Sequence, residues 1–288
     1  MKFGISYAYW QNDWSGDYIY YATKVKNLGF DILEFGAGDL LGMSDGEIEK
    51  LKAVAKDLQL DLNANIGPPK ECNVASADPA VRANGVKFLT DIMKQMSKLG
   101  VDDIIGVQYT CWPGDYTDLD KPALWARGVE SIKTLGKTAA DLGITMSLEV
   151  VNRFEGLILN TAEEAVQFCK DVDNPNVKIL LDTFHMNIEE DNICDAIRTA
   201  GSLLHYVHVG EANRKVPGQG SLPWDEIGKA LRDIGFAGDV VMEPFILQGG
   251  QIGEAIKVFR DLSGSADEAK MDDYAKDGLD FLRAKFLK

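Results

Sequence analysis

The chain has 288 residues, 45% hydrophobic and 26% charged, with a formal net charge of −15. That length and apolar share suit one large domain or two ordinary ones with a substantial core. The acidic balance excludes nucleic acid and anionic membrane surfaces as partners, since such a field repels both; a neutral substrate or a cation stays compatible with it. Cys72, Cys111, Cys169 and Cys194 are widely spaced with no Cys-x-x-Cys pair, the usage of packed, reduced thiols in a cytoplasmic protein. Met1–Tyr7 lacks the apolar run of a signal peptide, and no stretch approaches the roughly 18–20 apolar residues of a membrane span.

The elements alternate strand and helix along the chain. Phe3–Tyr7 is a short apolar strand, and Asp17–Leu28 a helix closed by Gly29. Phe30–Phe35 is the second strand; Ser44 and Glu47 have capping-box spacing for a helix to Leu58. Leu60–Ile66 is the third strand, and Asp78-Pro79 opens a long helix to Leu99. Val101–Gln108 is the fourth, followed by a helix from Lys121-Pro122 to Leu142. Ile144–Val150, with strict period-two alternation, is the fifth, and Thr161–Lys170 its helix. Val177–Asp182 is the sixth, with a helix over Ile188–Ala200. Leu203–Val209 is the seventh, followed by a long loop and a helix from Trp224 to Ile234. Asp239–Glu243 is the eighth, and Gly253–Leu262 and Glu268–Leu287 are helices. Eight such repeats without a linker predict a single α/β domain over residues 1–288, a (β/α)8 TIM barrel with an additional C-terminal helix. An open doubly wound sheet usually carries a glycine-rich turn after its first strand; Ala8–Trp14 contains no glycine.

The last four strands share a property. They end in Glu149, Asp182, His208 and Glu243, each able to ligate a metal. Strand ends of a barrel converge at its C-terminal mouth, where its enzymes keep their active sites. Parity agrees, because Glu149 falls in line with Thr145 and Ser147, Asp182 with Lys178 and Leu180, and His208 with Leu204 and Tyr206. Three carboxylates and one imidazole favour Mn²⁺, Mg²⁺ or Co²⁺ over structural zinc, which prefers thiolates. His205, on the opposite strand face from His208, is expected to be a packed, hydrogen-bonded histidine. His185, beyond the sixth strand, is placed to reach a substrate from a loop or to cap the next helix. Arg214 sits in the long seventh loop, where Gly218 and Gly220 are expected only to shape a lid. Gly249-Gly250 occupies a place where barrels often bind phosphate, which keeps phosphorylated sugars open. Tyr7, Trp14, Trp112 and Phe245 follow strands one, four and eight and suggest a pocket of carbohydrate size.

Glu149 and Glu243 lie three steps apart around the ring and can flank one ligand. Two carboxyl groups and one metal suffice to move a proton beside a carbonyl, by epimerisation or by aldose–ketose isomerisation. A metal-dependent endonuclease on this fold would want a basic face and more than three histidines.

The set Leu148-Glu149-Val150, Leu181-Asp182-Thr183-Phe184-His185, Val207-His208-Val209-Gly210-Glu211 and Met242-Glu243-Pro244, with Asn213-Arg214 and Pro217-Gly-Gln-Gly220, resembles the ketose 3-epimerases. These are the D-psicose (allulose) and D-tagatose 3-epimerases among the xylose-isomerase-like barrels. Gly4–Trp10 and Trp112-Pro113 resemble the psicose branch, and the likeness runs over essentially the whole chain. It implies a Mn²⁺ or Co²⁺ site at Glu149, Asp182, His208 and Glu243, with Glu149 and Glu243 also the acid/base pair. It implies that Glu155, His185 and Arg214 hold the C1–C3 oxygens of a ketose, and that Tyr7, Trp14 and Trp112 line the pocket. It further implies a homo-oligomer, a dimer or a tetramer. A hydroxypyruvate or aldose–ketose isomerase is the nearest alternative.

Overall fold

Eight short parallel strands form a closed barrel in which the last pairs with the first, as the strand–helix repeat predicts. The computed structural model describes residues 1–287. The strands are β1 (Lys2–Ser6), β2 (Ile32–Gly36), β3 (Asp61–Asn65), β4 (Asp103–Gly106), β5 (Thr145–Val150), β6 (Val177–Asp182), β7 (Leu204–Val209) and β8 (Asp239–Met242). Around them lie α1 (Tyr18–Leu28), α2 (Asp45–Leu58), α3 (Pro79–Leu99), α4 (Lys121–Leu142), α5 (Ala162–Val172), α6 (Thr183–Glu189), α7 (Ile193–Ala200), α8 (Trp224–Asp233), α9 (Gly250–Ala255) and α10 (Glu268–Phe286). No helix among the described residues is long and apolar enough to cross a membrane.

Local chemistry sets the helix starts. Asp17, Asp78 and Asp120 each accept a hydrogen bond from a backbone N–H in the first turn, and Ser44 with Glu47 closes the full capping box. Strand parity sorts the barrel's two faces. Met146 and Leu148 face the helices within the main core. Ile32, Ile105, Leu180, Tyr206 and Val241 form a separate small cluster inside the ring. Alternate positions further along those inward rows carry the polar groups of the mouth.

Four local expectations are corrected. The fourth strand ends at Gly106, short of Gln108, because Gly106 turns out of the sheet at φ 106°. The helix expected over Ile188–Ala200 is two: Asp182 caps α6 directly off the end of β6, and Asn192 caps α7 afresh. The helix expected over Gly253–Leu262 is the short α9. Lys257 is left-handed at φ 66°, and the amide of Leu262 returns to the carbonyl of Ile246. His205 falls at a register shift between β6 and β7, at the N-terminal end of the barrel. Its Nε2 stands 3.0 Å from Asp103 Oδ2, but its side chain is 41% exposed. The expected hydrogen bond is present and the expected packing is not. Burial pushes the Asp103 carboxyl up to about 6 against the pull of His205.

One close approach sets the position of a long helix. A Cβ on Gly85 of α3 would stand 2.1 Å from the carbonyl oxygen of Cys72. Alanine in an open helix gains about 0.5–1 kcal/mol over glycine. Here the clash is with backbone, and overpacking costs about 1–3 kcal/mol. Gly85→Ala is therefore expected to lower the urea unfolding midpoint; a raised midpoint would show that the Lys70–Cys72 turn yields freely.

Candidate active site

Each of the four strand-end ligands is positioned by its own strand. Glu149 is the fifth residue of β5, Asp182 the last of β6, His208 the fifth of β7, and Glu243 follows β8 directly, its amide bonded to the carbonyl of Val209. One ligand atom from each lies within 4.8 Å of all the others. His208 Nδ1 faces Glu149 Oε1 at 3.3 Å, Glu243 Oε2 at 3.5 Å and Asp182 Oδ2 at 3.9 Å. Asp182 divides its carboxylate between two tasks. Oδ1 accepts the amides of Phe184 and His185 at the start of α6, which leaves Oδ2 for the cluster.

The donor set fits a divalent cation. The far nitrogen of His208, Nε2, lies 2.8 Å from Glu34 Oε2. With Nε2 donating, Nδ1 presents its lone pair to the three carboxylates, the tautomer a metal requires. The electrostatics agree. Burial pushes the Glu243 carboxyl well above the usual range; His208 pulls it down, while Glu149, Glu34 and Asp182 push it further up. Burial disfavours a charged His208 ring, yet Glu34 and Glu243 outweigh it and its pKa stands well above the ordinary value. A buried point where three carboxylates converge is thus one where positive charge is stabilised. Glu149, Asp182, His208 and Glu243 would hold the cation.

Above this cluster opens a cavity of about 440 Å³ whose lining includes Glu149, Glu243, Glu155, His185, Arg214, Tyr7, Trp14 and Trp112. The backbone amide of Asn152 donates to His185 Nδ1 at 3.2 Å. A backbone N–H can only donate, so the ring hydrogen sits on Nε2, which lies 3.8 Å from Glu149 Oε1. His185 thus belongs to the first turn of α6 and not to a loop. Glu155 Oε1 accepts from Arg214 Nη2 at 2.8 Å and from Asn152 Nδ2 at 3.1 Å, and Oε2 accepts from Trp112 Nε1 at 3.2 Å. Burial opposes the Glu155 charge, but His185 and Arg214 outweigh it and keep the carboxyl below its ordinary range. The Arg214 guanidinium stacks 3.6 Å from the Phe184 ring centre. Trp14 packs edge-on against Trp112 at 5.6 Å and against Phe245 at 6.5 Å. Of the aromatic wall expected at the mouth, Trp14, Trp112 and Phe245 therefore form one surface, while Tyr7 packs separately, edge-on against Tyr18 at 5.1 Å.

The seventh loop is pinned by Glu211, which is fully buried and accepts from the Gly218 amide and Trp224 Nε1 at 2.8 and 2.7 Å. The Gly249-Gly250 segment is tied to Asn12, whose side chain donates to Gln248 O and whose carbonyl accepts from Ile252 N. Neither segment has the form of an anion cradle.

Over residues 22–284 the sequence matches the family described as the xylose isomerase-like TIM barrel. The D-psicose 3-epimerase of Ruminiclostridium cellulolyticum is 53% identical over 284 residues, 98% of this chain and 97% of that protein. The chain belongs to this family, in its ketose 3-epimerase branch. The D-psicose 3-epimerase of Agrobacterium fabrum is 52% identical, with 98% of each chain covered. The crystal structure of D-psicose 3-epimerase with D-tagatose from Clostridium cellulolyticum superposes at a TM-score of 0.98, with 52% identity and 99% of each chain covered.

Two further residues bonded to this cluster carry no expectation from the sequence. Glu34, on β2, is fully buried behind His208. Asn65, the last residue of β3, donates to Glu34 Oε1 at 2.9 Å and to Glu243 Oε1 at 3.3 Å. A signal for Glu34 was present: it is the one charge in the otherwise apolar run Ile32–Phe35. For Asn65 it was the alternation of Asp61, Asn63 and Asn65 with Leu60, Leu62 and Ala64, which ends the third strand on a polar side chain.

Proposed function

We propose that the epimerase inverts free ketoses at C3, of the D-fructose/D-psicose or D-tagatose/D-sorbose type, with Mn²⁺ or Co²⁺ at Glu149, Asp182, His208 and Glu243 and Mg²⁺ as an alternative. The observation that carries this reading is the placement of Glu149 and Glu243. They come from strands on different sides of the mouth and bracket the same His208 nitrogen at 3.3 and 3.5 Å. Both also line the cavity above it. A bound divalent cation would supply the Lewis acidity that makes the C–H beside the ketose carbonyl acidic. One glutamate takes the C3 proton from one face and the other delivers a proton to the opposite face, through a cis-enediolate of the sugar. Arg214, His185 and Glu155 hold the C1–C3 oxygens. Arg214 is bonded to Glu155, and Asn152 is bonded to both Glu155 and His185, so the three are fixed before the sugar arrives, which lowers the ordering cost of binding.

Selectivity for unphosphorylated sugars follows from charge. Among the described residues lining the cavity Arg214 is the one Lys or Arg, and it is already paired with Glu155. Four carboxylates, Asp39, Glu149, Glu155 and Glu243, share that lining. The free thiols, three of them buried, support a reducing, cytoplasmic setting. The resemblance supports a homodimer or homotetramer, to which Phe154 and Phe259, 74% and 72% exposed, offer apolar contacts. The whole chain then acts as one catalytic domain.

Incubation of the Mn²⁺-loaded protein with D-fructose in D₂O tests the reaction. Deuterium at C3 of a C3-inverted ketose is expected, with ketose phosphates turned over far more slowly. Deuterium in an aldose would instead establish an isomerase.

A further inference from the structure

Behind the ligand cluster, on the side away from the cavity, lies a carboxylate that the proposed chemistry does not use. Glu34 is fully buried, and all its partners are inside the barrel. Its Oε2 takes His208 Nε2 at 2.8 Å and the Tyr206 hydroxyl at 3.0 Å, and its Oε1 takes Asn65 Nδ2 at 2.9 Å. The same Asn65 nitrogen reaches Glu243 Oε1 at 3.3 Å. Below, Asn63 Nδ2 joins the Tyr206 hydroxyl at 3.3 Å and Asp239 Oδ2 at 3.1 Å. A hydrogen-bonded column thus runs through the barrel interior from Asp239 to Glu243, with Glu34 at its branch point. A fully buried carboxylate is costly unless several donors converge on it, and here three do.

From this geometry we infer that Glu34 is a positioning residue that sets two members of the site at once: the tautomer and ring direction of His208, and through Asn65 the direction of the Glu243 carboxylate. This rests on the reading of Glu149, Asp182, His208 and Glu243 as the metal ligands.

Only a carboxylate satisfies both branches. Glutamine could keep its oxygen toward His208 and Tyr206, but its NH₂ would then face the NH₂ of Asn65, donor against donor. Asn65 would have to turn over, which withdraws its donor from Glu243 and presents an oxygen to that carboxylate. With the amide the other way round, the NH₂ would face His208 Nε2, and the favoured tautomer would place the ring proton on Nδ1, where the ligand is needed. Glu34→Gln is therefore close in size and wrong in hydrogen-bonding pattern either way. Loss of a carboxylate partner behind a ligating histidine typically costs about 10–100-fold in metal affinity.

The test is Mn²⁺ titration of chelator-stripped protein, read by the electron paramagnetic resonance of free Mn²⁺, with circular dichroism to check folding. The native chain is expected to take up one tightly held ion, and Glu34→Gln to bind it roughly 10–100-fold more weakly with its fold intact. Co²⁺-loaded Glu34→Gln is expected to show an altered d–d spectrum, because the histidine ligand has turned. Asn65→Ala reads the other branch should Glu34→Gln fail to fold. It is expected to lower kcat at saturating Mn²⁺ while leaving KM nearly unchanged, since it releases Glu243 Oε1 while Glu34 keeps His208 and Tyr206 on its Oε2. Tight binding by the native chain with an unchanged affinity and Co²⁺ spectrum in Glu34→Gln would overturn the role of Glu34 and leave the metal site standing. Unchanged kcat in Asn65→Ala would overturn its branch to Glu243. Failure of the native chain to bind Mn²⁺ would overturn the metal site and the Glu34 role together.

Discussion

Glu149→Gln and Glu243→Gln are each expected to lower kcat at saturating Mn²⁺ by roughly 10²–10⁴-fold, the usual cost of removing a general acid or base. The two variants should fail differently. With one glutamate gone, the other still reaches its own face of the C3 carbon. It can take a proton from one epimer and return a solvent proton to the same face. Each variant is therefore expected to exchange the C3 hydrogen of one epimer with D₂O without inverting it, and the two variants to choose opposite epimers. NMR of recovered sugar reads this directly. Near-normal turnover in either variant, or exchange on the same epimer in both, would refute a two-base mechanism. Both residues are also placed as ligands, so Mn²⁺ affinity has to be measured beside the rate.

Removal of the metal is expected to have a comparable effect. Lewis-acid stabilisation is worth several kcal/mol, so chelation should cost about 10³-fold or more in rate, and added Mn²⁺ should restore it. Asp182→Asn should lower metal affinity while leaving α6 capped, because an amide oxygen still accepts the Phe184 and His185 amides, whereas Asp182→Ala should lose both. Stability gives an independent readout. The raised Glu243 and His208 pKa values mean that the folded, metal-free chain holds these protons more tightly than the unfolded chain. That contribution is complete below the unfolded-state values, about 4.3 and 6.5, and is lost as pH rises through the folded-state values. Metal-free Tm should therefore fall with rising pH over this range. The gain on adding Mn²⁺ should grow, because the metal competes with the same protons. A Tm gain that shrinks as pH rises would contradict this charge balance.

The parts of the site readable in the sequence were those that a single strand encodes. Period-two alternation fixes which side chains of β5 to β8 point inward. A ligand in the last inward position of four consecutive strands is visible without knowing how the barrel closes. Helix caps were equally local, as Ser44–Glu47 and Asp78-Pro79 illustrate. What stayed hidden depends on contacts far apart in sequence. Glu34 acquires its meaning only when barrel closure brings β2 opposite β7, a separation of 174 residues. The split between α6 and α7 is hidden because Asp182 is a strand end, a candidate ligand and a helix cap at once, and the sequence pattern announces only the first two. His185 and Arg214 were legible as polar residues beyond the sixth and seventh strands, but Glu155 acquires a role only through the family resemblance, since its contact with Arg214 spans 59 residues.

The C-terminal helix makes contacts that can form only once most of the chain is in place. Residues of α10 hold the start of the chain: Tyr9 donates to the carbonyl of Met271, Trp10 to Asp272, and Arg283 to the carbonyl of Gly29, across 254 to 262 residues. β1 likewise finds one of its two neighbours in β8. Contacts of such separation form late, because the loop entropy must be spent before they stabilise anything. During synthesis one edge of β1 therefore stays open until β8 has left the ribosome. Deleting α10 leaves β8 to pair with β1 but strips the contacts to Tyr9, Trp10 and Gly29, and the shortened chain is expected to fray at the β1–β8 seam and aggregate.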